Sequence, residues 1–257
     1  MDPNATAAQD TLTLLVIGVG GANDETTGVF GDHLPAISNY IASFVRSSSN
    51  KTIELHSAYL PWTGGISVLG SFFSRESIVT LDAIYEDFSK LPSPHVVFVG
   101  HSYGGDTAFH AVDRWSGHRI AELSDGVALL VTLDPVSSDA ASRWADNDPY
   151  GPHSERRPER VFAEFAGVGV RSWEKTQSNP RPKTVRTWLH AFAVGGRGYT
   201  GGDFLADLGG QWLGEDQADA NVPVPVSHED VPGMVRALEP HLANWANTCF
   251  QSPSRNP

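Results

Sequence analysis

Short apolar runs alternate along the chain with stretches of helical periodicity, and this alternation limits the possible folds more than any other sequence feature. A continuous apolar run suits a strand that is buried on both faces, as parallel strands covered by helices are. The alternation therefore predicts an α/β fold with a mostly parallel central sheet and helices on both faces. The run at 127–133 is the most continuously apolar and is predicted to be central. The other predicted strands occupy residues 13–19, 53–60, 95–99 and 186–194.

The length of the chain suits one large domain, because 257 residues with 40% hydrophobic content can bury a sizeable core. We therefore predict a single domain over residues 1–257. The alternation is interrupted at about residues 136–184, where Pro, Ser, Asp and Arg are abundant. A connection of this length inside a compact domain is usually a functional lid or a mobile excursion. The aromatic residues of this lid-like insert could line an acyl pocket, or equally form a small core that holds the insert in place; they are Trp144, Phe162, Phe165 and Trp173.

The sequence Gly-His-Ser-Tyr-Gly at residues 100–104 fits the pattern G-x-S-x-G, with a predicted strand before it and a predicted helix after it. At such a turn the chain reverses so sharply that side chains two positions from the serine would collide with neighbouring backbone. The turn also places the serine at a helix N-terminus, where backbone N–H groups favour a developing negative charge. Ser102 is therefore a candidate nucleophile, and the alternative is a glycine-rich turn without catalysis.

A serine nucleophile needs a histidine base and an acid that orients the base, in the chain order Ser, Asp, His for this architecture. Asp134 follows the strand at 127–133, so its side chain is predicted at the same sheet edge as Ser102, one strand over. The alternative is an aspartate that caps a turn, for which Asp-Pro is a common pair. Asp203 and Asp207, after the following strand, are rival candidates for the acid.

Ten histidines compete for the role of base. Among them, His228 combines a late loop position with a preceding β-like run and a following helix, which is where this architecture carries its base. The alternative is a surface histidine among acidic residues. His101 is part of the turn around Ser102, where packing is its simpler role.

The glycine-rich segment after the first strand has two possible functions. Gly18 and Gly20 match the start of the dinucleotide pattern G-x-G-x-x-G, but Asn23 occupies the third glycine position and the next strand ends without a ribose-binding acid. The same glycines can instead let backbone amides approach a reacting carbonyl. The N–H groups of Gly21 and Tyr103 are then predicted to form an oxyanion hole.

Composition excludes several kinds of partner. With 18 basic and 30 acidic residues the formal charge is -12, which repels nucleic acid and anionic lipid headgroups. Cys249 is the single cysteine, so no intrachain disulfide can form. The first ten residues lack a signal-peptide pattern, and no run approaches the roughly 20 apolar residues of a membrane span. We expect a cytoplasmic protein with no transmembrane segment, cofactor or metal, although export without an N-terminal signal stays open.

These segments together resemble the α/β-hydrolase superfamily, from about residue 12 to the terminal helix. The GHSYGG segment resembles the nucleophile turn of lipases, esterases and thioesterases, and LDPV is similar to the acid segment of some lipases and many thioesterases. The resemblance implies that Ser102, Asp134 and His228 form a catalytic triad. Many family members have His-Gly after the first strand where this chain has Val19-Gly20, so the resemblance supports the oxyanion role of Gly21 less directly than that of Tyr103.

The function expected from these residues is hydrolysis of carboxylic esters through an acyl-enzyme intermediate, as in a serine esterase or lipase. The substrate would be a small acyl ester or a lipid. Two alternatives stay open: an acyl-thioesterase that uses the same triad, and a non-catalytic binding module with a hydrolase-like fold. The sequence does not indicate the acyl group, the leaving group or the oligomeric state.

Overall fold

A computed structural model describes residues 11–21, 24–60, 81–136, 181–195 and 217–251, and its centre is a β-sheet. The strands are β1 (Thr11–Val19), β2 (Thr52–Leu60), β3 (His95–His101), β4 (Val127–Leu133), β5 (Trp188–Ala193) and β6 (Ala220–Val224). Their order in the sheet is β2-β1-β3-β4-β5-β6. Every adjacent pair is parallel, as the apolar runs predict.

Parallel neighbours need crossover connections, and within the described residues helices occupy much of them. The α-helices are α1 (Asp24–Thr27), α2 (Leu34–Ser48), α3 (Leu81–Phe88), α4 (Tyr103–Asp113), α5 (Val231–Ala237) and α6 (Glu239–Phe250). Short 3₁₀ turns occur at Gly31–His33, Trp115–Gly117 and Arg119–Glu122. The helix α2 illustrates why these segments are helical, because Ile37, Ile41 and Val45 recur at a spacing of four and are buried along one face.

Helices cover both faces of the sheet. On one face α2, α5 and α6 bury apolar side chains such as Ile41 and Trp245 against alternate residues of the central strands. On the other face α3 and α4 bury side chains such as Ile84 and Phe109 in a second cluster. The prediction of a mostly parallel α/β sheet with helices on both faces is therefore confirmed.

The two middle strands, β3 and β4, determine where polar side chains collect. All residues of β4 are buried, which confirms that the most apolar run is central. The strands β3 and β4 are parallel, and the last residue of β3, His101, pairs with the last residue of β4, Leu133. Both strands therefore end at the same edge of the sheet. Ser102 and Asp134 each follow the last residue of one of these strands.

The C-terminal segment differs from the single helix that the spacing of Met234, Leu238, Leu242 and Trp245 predicts. It forms two helices, α5 and α6, which meet at Leu238. Pro240 explains the break, because proline has no N–H to donate and its ring would collide with a carbonyl one turn earlier. Proline is instead tolerated in the first turn of α6, where no intrahelical donor is needed.

Several predictions of the sequence analysis fall outside the described residues. They concern most of the lid-like insert at 136–184, its aromatic residues Trp144, Phe162, Phe165 and Trp173, and the rival acids Asp203 and Asp207. The extent of the single domain also stays a prediction. None of the helices in the described ranges has the length and apolar character needed to cross a membrane.

Candidate active site

Ser102 lies between β3 and α4 with backbone angles of φ 56° and ψ -132°. An L-residue other than glycine rarely adopts a positive φ, and such a conformation costs about 1–3 kcal/mol, so the surroundings must hold it. The Ser102 N–H donates to the carbonyl of Leu133 across 3.1 Å. Its own carbonyl accepts from the N–H groups of Gly105 at 2.9 Å and Val136 at 3.0 Å. These three bonds tie the turn to the end of β4 and to the first turn of α4.

The glycines on either side of Ser102 are required by close backbone contacts. A methyl group on Gly100 would lie 2.5 Å from the carbonyl oxygen of Gly104, well inside van der Waals contact. A methyl group on Gly104 would overlap the carbonyl oxygens of Val19 and Gly20 at the end of β1. The small residues of the G-x-S-x-G pattern thus have the steric role that the sequence analysis assigns to them.

Asp134 and His228 form a buried hydrogen-bonded pair at the same edge of the sheet. Oδ2 of Asp134 lies 2.6 Å from Nδ1 of His228, and Oδ1 accepts from the N–H of Ala193 across 2.9 Å. Asp134 is fully buried and His228 is 4% exposed. Because a carboxylate can only accept, Nδ1 of His228 carries the hydrogen, and Nε2 of the neutral ring is left as an acceptor. A ring in this state can take a proton at Nε2.

The backbone on both sides of this pair is also constrained. Asp134 has a positive φ of 44°, and its N–H donates to the carbonyl of Ala191 on β5 across 2.7 Å. His228 lies in the loop between β6 and α5, two residues before the N-cap of α5. Asp230 is that cap, and its side chain accepts from the N–H of Gly233 at 2.9 Å. The N-cap of α5 is thereby fixed two residues after His228.

His101, for which the sequence predicts only a packing role, makes a polar contact in this site. Its Nε2 donates to the backbone carbonyl of His228 across 2.8 Å, and the two rings lie 4.7 Å apart. Burial lowers the pKa of His101 to about 3, and the nearby His228 acts in the same direction. The ring is therefore neutral at physiological pH and holds the loop of His228 by a hydrogen bond. A polar residue at the buried end of a central strand is the signal that could have identified it.

The buried neutral His101 makes stability depend on pH. The unfolded chain binds a proton at this histidine below about pH 6.5 and the folded chain only near pH 3, so the free energy of unfolding falls as pH drops through that window. The variant His101→Gln keeps a side-chain N–H donor and does not titrate. Between pH 7 and pH 5, we expect the original protein to lose about 2 kcal/mol more stability than this variant. Urea unfolding at both pH values measures the difference, and equal losses would contradict it.

Gly21 lies directly against the candidate nucleophile. A methyl group on Gly21 would be 2.7 Å from Cβ of Ser102 and 3.3 Å from its Oγ, so the backbone here can approach a group bound to the serine. Tyr103 is the first residue of α4, and its N–H belongs to the N-terminal turn beside Ser102. The structure thus brings Gly21, Ser102 and Tyr103 together, and the oxyanion role of the two amides remains a proposal.

Comparisons with known proteins give only distant similarities. No protein-family model matches the chain, and no curated protein is significantly similar to it in sequence. Among solved structures it is similar to a type II thioesterase from the yersiniabactin biosynthetic pathway, at 12% identity over 93% of this chain and 95% of that one, with a TM-score of 0.41. A metagenomic carboxyl esterase shows 17% identity over 91% and 76% of the two chains, with a TM-score of 0.43. A putative cell surface hydrolase from Lactobacillus plantarum shows 12% identity over 95% and 94%, with a TM-score of 0.42.

These scores are too low to bear on activity, so what the chain does must be inferred from its own side chains. In the part of the chain that the structure describes, no three His, Cys, Asp or Glu residues are grouped as metal ligands would be. The expectation that the protein uses no metal or cofactor remains a prediction.

Proposed function

We propose that this protein is a serine hydrolase that cleaves carboxylic esters through an acyl-enzyme intermediate. Ser102 is the nucleophile, His228 the general base and Asp134 the residue that orients the base. The observation that supports this most is the buried 2.6 Å contact between Asp134 and His228, at the sheet edge where the strained Ser102 follows β3. A serine hydroxyl is weakly nucleophilic at neutral pH, and such a pair is what activates it.

In the first step the Ser102 oxygen attacks the ester carbonyl while Nε2 of His228 takes the hydroxyl proton. The imidazolium that forms is stabilised by the Asp134 carboxylate, which lies in a buried environment where a charge interaction is stronger than in water. The N–H of Ala193 holds the other carboxylate oxygen and so fixes the direction from which the carboxylate meets the ring. Asp134 stays ionised throughout.

The carbonyl oxygen becomes an oxyanion as the tetrahedral intermediate forms. The N–H groups of Gly21 and Tyr103 donate to it, and the N-terminal end of α4 adds a favourable dipole. When the intermediate collapses, His228 returns the proton to the leaving alcohol and the acyl group stays on Ser102. Water, deprotonated by His228, then attacks the acyl-enzyme, which releases the acid and restores the serine hydroxyl.

A serine-directed phosphonate tests whether the site reacts at all. We expect the intact protein to gain one phosphonyl group on Ser102, located by mass spectrometry of its peptides, because the activated hydroxyl displaces the leaving group of the reagent. Ser93→Ala is a matched control, since Ser93 also has a positive φ, of 37°, but is exposed in a loop. The absence of any label would support a non-catalytic binding module, and a label that survives Ser102→Ala would assign the reactive group to another residue.

Oxygen esters and acyl-thioesters of equal acyl chain length distinguish an esterase from a thioesterase. The same triad can cleave both, so the ratio of their kcat/KM values shows which class the enzyme prefers. We expect the oxygen ester to be the better substrate. A preference for the thioester at every chain length would replace the esterase assignment with the thioesterase alternative.

A further inference from the structure

The segment between β1 and α2 contains a buried carboxylate that no step of the proposed reaction uses. Asp24, on α1, is 4% exposed. Its Oδ1 accepts from the N–H of Phe30 at 2.6 Å and its Oδ2 from the N–H of Gly31 at 2.9 Å. The hydroxyl of Tyr59, near the end of β2, also donates to Oδ2. A buried carboxylate with three donors is a costly group to place in a protein, and it is stable only when these bonds form together.

This carboxylate and the tyrosine lie against the glycine that precedes Gly21. A methyl group on Gly20 would be 2.5 Å from the hydroxyl oxygen of Tyr59 and 2.6 Å from Oδ2 of Asp24. The N–H of Gly20 donates to the carbonyl of Leu60 across 2.9 Å. One side of the Gly20 backbone is thus packed on the Asp24–Tyr59 pair, and its N–H is bound to the end of β2.

The carbonyl groups of Gly20 and Gly21 are also held in place, by groups other than the Asp24 carboxylate and Tyr59. The carbonyl of Gly21 accepts from the N–H of Asp24 across 3.2 Å, and the carbonyl of Gly20 lies where a side chain on Gly104 would collide with it. The peptide plane that joins Gly20 to Gly21 therefore has little freedom to rotate, because contacts hold Gly20 on one side of it and the Gly21 carbonyl on the other. That plane carries the Gly21 N–H, beside Ser102.

We propose that Asp24 and Tyr59 are positioning residues that fix the Gly20–Gly21 backbone, so that the Gly21 N–H is held where the oxyanion forms. This inference rests on the proposed function, since an oxyanion arises only if Ser102 attacks a carbonyl. Two glycines in succession would otherwise be among the most mobile backbone in the chain. Hydrogen-bond donors contribute most to catalysis when their orientation is set before the reaction begins. Tyr59 therefore acts on the reaction through Asp24 and the backbone, without touching the substrate.

The variant Tyr59→Phe removes the donor and keeps the ring. We expect kcat to fall about ten- to a hundredfold with KM nearly unchanged, which is less than the 10²–10³-fold typical for the complete loss of one oxyanion donor. A trifluoromethyl ketone adds the Ser102 oxygen to its carbonyl, passes the serine proton to His228 and places an oxyanion in the same position. Its dissociation constant should rise by the same factor as kcat/KM falls, because both report the oxyanion contacts.

Tyr40→Phe is the matched control. Tyr40 donates to the Glu239 carboxylate across 2.8 Å on the surface between α2 and α6, so the variant loses the same kind of bond away from the site. It should keep the original kcat and ketone affinity. Asp24→Asn is the second variant, and it should impair both quantities at least as much as Tyr59→Phe, since an amide cannot accept from all three donors. Circular dichroism verifies that each variant is folded at the assay temperature.

The outcomes separate this inference from the proposed function. If Ser102→Ala abolishes turnover while folded Tyr59→Phe keeps the original kcat and ketone affinity, the positioning role is wrong and the hydrolase assignment stands. A loss that appears in KM alone, or one that Tyr40→Phe shares, also overturns it. If Ser102→Ala keeps turnover, the hydrolase assignment fails and the positioning role fails with it.

Discussion

Ser102→Ala should lower the turnover of a chromogenic short-chain ester by at least about 10⁴-fold, because the acyl-enzyme cannot form without the hydroxyl. The substitution removes one oxygen and keeps Cβ, so the strained φ of 56° and the three backbone hydrogen bonds of residue 102 are unchanged. The thermal midpoint should therefore stay close to that of the original protein. Steady-state kinetics and thermal unfolding on the same preparation measure both quantities.

The control for this variant is Ser93→Ala, at the exposed serine with positive φ. It should keep full turnover, since Ser93 has no role in the proposed mechanism. Turnover retained by Ser102→Ala would remove Ser102 from the mechanism, and turnover lost together with the folded state would leave the phosphonate label as the decisive measurement.

Asp134→Asn should lower kcat by about 10⁴-fold. The Asp134 carboxylate also accepts a hydrogen bond from the N–H of Ala193. In the variant this N–H still needs an acceptor, so the amide oxygen of the asparagine faces Ala193. The amide NH₂ then faces Nδ1 of His228, which must accept from it. This moves the ring hydrogen to Nε2, where it blocks transfer of the Ser102 proton. Turnover of the same ester, measured across a range of pH, checks the loss.

Asp203→Asn is the comparison for the acid. It should have little effect, because the geometry of Asp134 already supplies the partner of His228. A larger loss in Asp203→Asn than in Asp134→Asn would assign the acid to the later segment. Phosphonate labelling of Asp134→Asn, slow but at Ser102, would verify that the variant keeps its folded site.

Much of the fold follows from local sequence patterns. Each strand between β1 and β5 begins within two residues of its apolar run, because a strand buried on both faces needs an uninterrupted set of apolar side chains. The glycines at 100 and 104 likewise mark the turn at Ser102 before any contact is known. The break between α5 and α6 was missed, although Pro240 is a local signal for it.

The parallel sheet, the turn at Ser102 and the edge where Asp134 emerges can be predicted from local patterns, since they depend on neighbours in the chain and on the common direction of parallel strands. Which side chains meet at that edge depends on how distant segments fold together. The contact of His101 with the His228 carbonyl joins residues 127 positions apart, and that of Tyr59 with Asp24 joins residues 35 apart. Such contacts depend on strand order and on the paths of the loops. Residue spacing does not encode either one, because a hydrogen bond forms between groups that are close in space, however far apart they are in the chain.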